Sequence, residues 1–531
     1  MKKLLIAAFL LFATLASAAA PQYGGTLVFG RGGDSSTIDP GHATDGESFY
    51  ASTQVYDNLV QFKYGTTEIE PALATSWDVS DDGLTYVFHL RKGVYFHQTK
   101  FFNKKVEFTA DDVVFSLKRQ FDKNHPYNKV GGAYEYWSAM DMDNIVKDVV
   151  KVDKYTVKIT LKKPEAPFIA NMAMDFASIL CKEFADELMK KGKAEDLNRL
   201  AVGTGPFKLV KWIKDDRMIF AANESYWDGK PYIKRLIFKV VPNNSVRAAE
   251  LKTGAIHIMD FPNPEEVAQL EKNPKIKLVR QEGLNVGYLA MNTEKKPFDD
   301  VRVRRAINYA INREAIVKAI YAGLGKVAKN PIPPTMWSYN DDVKDYEYNP
   351  EKAKALLKEA GLENGFETNI WAMPVPRPYN PNGRKVAEAM QADLAKVGIK
   401  AKVVSYDWGT YLQKTKMGEH DMALLGWTGD NGDPDNFLFT LLSKAAATKP
   451  AQNIAMWKND EFNTLVEKAK VITDMGERTK LYKEAQVVFK KEAPWVTIAN
   501  SIVVEPMAKN VNGFKLDPVG KRRFHKVWIA K

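Results

Sequence analysis

Between residues 366 and 406 the apolar pattern changes its period twice, and no other stretch narrows the fold as far. Residues 366–373 read as a strand, and a proline-rich loop follows at 374–381. A helix then carries Val386, Met390, Leu394 and Val397 along one face and stops at Gly398, before a second strand at 399–406. Strand, helix and strand in that order make a βαβ unit, which predicts a parallel sheet with a right-handed crossover. The flanking text agrees. Asn349-Pro350 opens a helix that Gly361 ends, and Val303, Ile307, Ala310 and Ile311 mark one face of an earlier one. Residues 421–427 give a further apolar strand.

The first half of the chain reads as short strands and turns. Residues 25–29 mix small and apolar side chains as a buried strand does. The turn Ser80-Asp81-Asp82-Gly83 separates residues 77–79 from 85–90 and predicts a hairpin, with Gly83 supplying the positive φ. Thr109 is expected to cap a helix whose first turn holds Asp111 and Asp112. Residues 152–161 read as one strand, with Tyr155, Val157, Ile159 and Leu161 on one face. The fold class is α/β, with no internal repeat and no low-complexity segment.

Lys2 and Lys3, an apolar run at 4–15 and the small residues Ala16-Ser17-Ala18 read as a secretory signal peptide, too short to span a membrane. The mature chain is expected to begin at about residues 19–21, and no cysteine near the cleavage region calls for a lipid anchor. The roughly 510 residues left suggest two or three domains. Cys181 is the one cysteine, so no internal disulfide forms and packing must supply the stability. The net charge of +11 comes from basic residues interleaved with 65 acidic ones, which reads as a solvated basic surface and not as a nucleic-acid site.

Open α/β sheets bind ligands beyond the carboxyl ends of their strands. Arg377 follows the 366–373 strand between two prolines, and Asp430 follows the 421–427 strand among glycines. An arginine and an aspartate in one cleft would receive a zwitterion, the guanidinium taking a carboxylate and the aspartate an ammonium. Taken singly, each is more often an ordinary salt bridge or a solvated loop charge. No Gly-x-Ser-x-Gly or His-Glu-x-x-His motif occurs, and the seven histidines are scattered, so no catalytic residue, metal site or cofactor is expected. Asp430, Asp433 and Asp435 have a passing likeness to a calcium loop, but Gly432 and Pro434 fall where liganding side chains belong.

Longer motifs run through nearly the whole mature chain. They include Tyr56-Asp57-Asn58-Leu59-Val60, Leu73-Ala74-Thr75-Ser76-Trp77, Leu90-Arg91-Lys92-Gly93-Val94, Thr109-Ala110-Asp111-Asp112-Val113-Val114 and Gly203-Thr204-Gly205-Pro206-Phe207. Gly287-Tyr288-Leu289-Ala290-Met291-Asn292 continues them, followed by residues 372–380 and 426–437. With these the chain resembles the periplasmic peptide-binding proteins that serve ABC importers, and within them the dipeptide-binding branch.

That resemblance implies a two-lobed, type II-like clamp with an extra N-terminal subdomain. One lobe would comprise residues 21–283 and 500–531, with the subdomain at about 60–200, and the other residues 284–499. Hinges are expected near Gly283 and Asn500. It further implies that Arg377 holds a dipeptide's carboxylate and Asp430 its α-amine. Backbone contacts would come from Thr44, Asp45 and Gly46 and from Gly426, Trp427 and Thr428. The implied partners are a dipeptide and an inner-membrane ABC permease, for a monomer in the periplasm that is not an enzyme. Neighbouring branches bind haem, glutathione, nickel complexes or longer peptides on the same frame, and residues 443–455 depart from the family pattern.

Overall fold

The computed structural model describes residues 20–531, so the apolar run at 4–15 and the Ala16-Ser17-Ala18 site lie outside the described residues. Near the N-terminus, the strand Thr26–Arg31 lies between Arg235–Val240 and Ile258–Met259, parallel to both. The helix Asn244–Thr253 makes the crossover between these two neighbours; Asn243 caps it, its side chain accepting from the Val246 N–H at 3.1 Å. Arg217–Ala222 and Phe207–Ile213 extend the sheet with antiparallel pairing.

Residues 74–161 build a separate four-stranded antiparallel sheet, ordered Ala74–Val79, Thr85–Leu90, Thr156–Leu161 and Val146–Asp153, with the helix Ala110–Phe121 against it. The hairpin at Gly83 is present, and that glycine has φ +68°. One local expectation needs correction. Residues 152–161 are not one strand: the chain turns at Lys154 and Tyr155, and Val146–Asp153 pairs antiparallel with Thr156–Leu161. Val157, Ile159 and Leu161 are buried as expected, but Tyr155 sits in the turn, because an alternation count carries no turn signal here. At the start of Ala110–Phe121, Thr109 is the N-cap as expected, in a capping box with Asp112. The Asp112 carboxylate accepts from the Thr109 backbone N–H at 2.9 Å and from its hydroxyl at 3.3 Å.

The βαβ unit forms as read. Phe366–Trp371 and Ile399–Val404 pair in parallel, joined by the helix Gly383–Ala395. Met422–Thr428 lies on the other side of Phe366–Trp371, also parallel to it, and next comes Asn285–Met291. All seven residues of Asn285–Met291 are buried, which is why it reads as a continuous apolar run and not as an alternation.

The 14-residue strand Trp495–Ala508 ties the two sheets into one hydrogen-bonded array. It pairs with Asn285–Met291 up to Ala499 and with Ile276–Glu282 from Ile502 onward. Hydrophobic packing nevertheless divides around it. One cluster draws on residues 27–261 and 507–527, and another on residues 284–499. At the division the two strands are tied by side chains: Asn285 accepts from the Ser501 N–H at 3.0 Å, and the Asn500 amide donates to the Asn285 carbonyl at 2.8 Å.

Candidate ligand-binding cleft

Between the two clusters lies a cavity with about 1210 Å³ of atom-free space, part of it open to solvent. Every residue singled out from the sequence lines it: Arg377, Asp430, Thr44, Asp45, Gly46, Gly426, Trp427 and Thr428. The Asp45 carboxylate is engaged locally. It caps the helix Gly46–Val55 at the Ser48 N–H, so the Asp45 group free to face a ligand is its backbone. Gly426 is required by close approach, since a β-carbon there would fall 2.2 Å from the Tyr379 ring.

Arg377 is presented by a loop that bonds to itself. Its backbone N–H and carbonyl both pair with Asn380, each at 3.0 Å, and this pins the turn between the flanking prolines. The side chain is 8% exposed, with Trp408 at 5.0 Å and Phe261 at 5.7 Å from the guanidinium carbon to the ring centres. Nη1 donates to the Pro376 carbonyl at 3.1 Å and to Glu47 Oε1 at 3.4 Å. Nη2 is buried without an acceptor. A buried donor left unmade costs about 1–3 kcal/mol, so a carboxylate arriving there gains what the empty site lacks. Burial, the largest influence, works against the charge, but Glu47, Tyr379, Tyr50 and Asp45 together outweigh it and hold the guanidinium above its ordinary range. Glu47 itself is pushed up to about 7, chiefly by burial and also by Asp260, with Arg377 and Arg31 opposing.

Asp430 is organised by Asn436, whose side-chain oxygen accepts from the Asp430 N–H at 2.8 Å and from the Trp427 indole at 2.9 Å. The Tyr136 hydroxyl donates to its carboxylate. Burial raises the Asp430 carboxyl to about 7; the Tyr136 bond opposes this, Asp175 adds to it and Lys521 opposes it. The neighbouring carboxylates turn away, Asp433 to Arg478 at 2.8 Å and Asp435 to Lys470 at 3.7 Å, so these three aspartates do not converge on an ion. Among the described residues no group of three or more His, Cys, Asp or Glu is placed to hold a metal, and no helix is long and apolar enough to cross a membrane.

The family model for bacterial extracellular solute-binding proteins, family 5 (middle), matches residues 68–449. The chain belongs to that family. It is 51% identical to the dipeptide-binding protein of Escherichia coli K12, covering 95% of this chain and 94% of that one. It is also 48% identical to heme-binding protein A of Haemophilus influenzae, covering 93% and 90%. Among solved structures, the ABC transporter-associated periplasmic binding protein DppA from Helicobacter pylori, in complex with the peptide STSA, matches with TM-score 0.93 and 50% identity, covering 96% of this chain and 99% of that one. The α/β two-lobed clamp is therefore the fold of this family 5 protein.

Polar contacts join the first part of the chain to residues 416–470. Lys416, on the side of Arg377, donates to the Thr44 hydroxyl at 3.1 Å and to Glu135. Asn431 donates to Asn171 at 2.8 Å, and Lys470 pairs with Glu165 at 3.3 Å. Sequence reading missed Glu47, Tyr136, Asp175 and Lys521, which surround the two anchors with further charge and hydrogen bonds. Each comes from residues far from the loop it serves, and none sits in a motif of its own.

Proposed function

We propose that this chain captures dipeptides in the cleft and delivers them to the permease of an ABC importer. The observation that carries this is one cavity lined by a buried arginine with an unpaired nitrogen and by a half-buried aspartate. A dipeptide carries its two charges at most roughly 7 Å apart when extended. Each charge-assisted bond contributes about 1.5–3 kcal/mol. Arg377 takes the carboxylate, Asp430 takes the ammonium, and the backbone at Thr44–Gly46 and Gly426–Thr428 lies along the peptide. The names of the E. coli and H. pylori relatives support a peptide ligand.

Lobes of residues 21–283 with 500–531, and of 284–499, open about the paired strands at Gly283 and Asn500. Ligand contacts made to both lobes at once favour the closed form. The protein acts as a periplasmic monomer after its leader is removed, and it binds without catalysis. Calorimetry with a dipeptide panel, together with native mass spectrometry of the protein as purified, tests this. Binding of zwitterionic dipeptides that is lost on N-acetylation or C-amidation supports it. A coloured preparation that binds haem and ignores dipeptides would sink it.

A further inference from the structure

A second, polar cavity adjoins the cleft at its Asp430 end. It has about 560 Å³ of atom-free space, and Gln54, Asp57, Gln61, Tyr226, Arg523 and His525 are among its lining residues. Two residues line both cavities, Asp175 and Lys521. They form an ion pair at 3.3 Å, with side chains 8% and 13% exposed. The Lys521 ammonium also donates to the Ala173 carbonyl at 3.1 Å, and Asp175 accepts from the Thr53 hydroxyl at 2.9 Å. The pair therefore stands as a partition between the chamber holding Asp430 and the chamber behind it.

The rear chamber is furnished for a polar occupant. Gln54 is fully buried and lines it, yet its side-chain oxygen has no partner, while its amide nitrogen donates to the Tyr50 and Arg522 carbonyls. Buried polar atoms are nearly always paired, so an unpaired one beside a cavity points to what fills that cavity. Asp57, by contrast, is already satisfied by Thr204, Tyr226 and Trp227. On the partition, the Lys521 side chain is one primary ammonium on a flexible stem, and a peptide's N-terminus is another.

We propose that the Lys521–Asp175 pair is a movable partition, and that the chamber behind it takes the N-terminal residue of a peptide longer than two, whose ammonium replaces that of Lys521 on Asp175. This rests on the assignment of Arg377 and Asp430 made above. A longer chain withdraws its ammonium from Asp430, and that carboxyl tolerates the loss by keeping a proton, burial having raised it to about 7. The H. pylori relative at 50% identity was solved with a four-residue peptide, so the frame holds chains of more than two residues.

Calorimetry with Ala-Ala, Ala-Ala-Ala and N-acetyl-Ala-Ala-Ala on the purified protein and two variants tests the partition. Asp175→Asn should lower the ratio of Ala-Ala-Ala to Ala-Ala affinity about tenfold, the loss of roughly one charged hydrogen bond. Lys521→Met, which frees Asp175, should raise the ratio of Ala-Ala-Ala to Ala-Ala affinity. The acetylated peptide, lacking the ammonium, should respond to neither change. If the tripeptide-to-dipeptide affinity ratio moves in neither variant, the rear chamber holds only water and the partition is overturned. If Ala-Ala fails to bind the unaltered protein, the anchor assignment falls and the partition with it.

Discussion

The two ends of the cleft handle charge in opposite ways. Arg377 stays charged at any ordinary pH, because a guanidinium cannot be deprotonated in a protein, and its buried Nη2 waits for an acceptor. Asp430, raised to about 7 by burial and capped by Tyr136, can shed its charge by taking a proton. A missing carboxylate therefore leaves a fixed buried cation poorly matched, whereas a missing ammonium leaves an acid that neutralises itself. The cleft should demand a free C-terminus more strictly than a free N-terminus.

The largest expected effect is at Arg377. Arg377→Ala should weaken dipeptide binding by about 2–5 kcal/mol, since the ligand carboxylate is then buried without its partner. Calorimetry that found this affinity unchanged would remove the carboxylate anchor. Asp430→Ala should cost less, about 1.5–3 kcal/mol, the range of one hydrogen bond to a charged group. If the second loss exceeded the first in the same titrations, the asymmetry would be refuted. Tyr136→Phe should cost about 0.5–1.5 kcal/mol of affinity, because one neutral-donor bond across the closed cleft disappears.

Proton linkage gives the finest test. An arriving ammonium lowers the Asp430 value from about 7 and expels a proton, while a carboxylate on Arg377 raises that of Glu47, also about 7, and takes one up. Near pH 7 these exchanges oppose each other, so net exchange in the unaltered protein should be small. In Glu47→Gln only release remains, and affinity should rise with pH between 5 and 8. In Asp430→Asn only uptake remains, and affinity should fall over the same window. Binding heats measured in buffers of different ionisation enthalpy count the protons directly. Equal exchange in both variants would show that neither group responds to the ligand.

Local pattern was enough to specify the βαβ unit at 366–406, the hairpin at Gly83 and the helix face through Val303 and Ile307. Each depends on neighbours a few residues away, where period and turn chemistry act. The positions of Arg377 and Asp430 at strand ends were legible for the same reason, and the eight residues expected to contact a ligand came to line one cavity. Residues 152–161 misled because a two-residue turn between two strands leaves the apolar alternation intact. Tertiary structure alone decided what surrounds the anchors. Glu47 meets Arg377 from 330 positions away, and Tyr136 meets Asp430 from 294. Burial and opposed charge shift those groups where side chains from distant parts of the chain meet, and no periodicity along the chain encodes a contact between side chains that far apart.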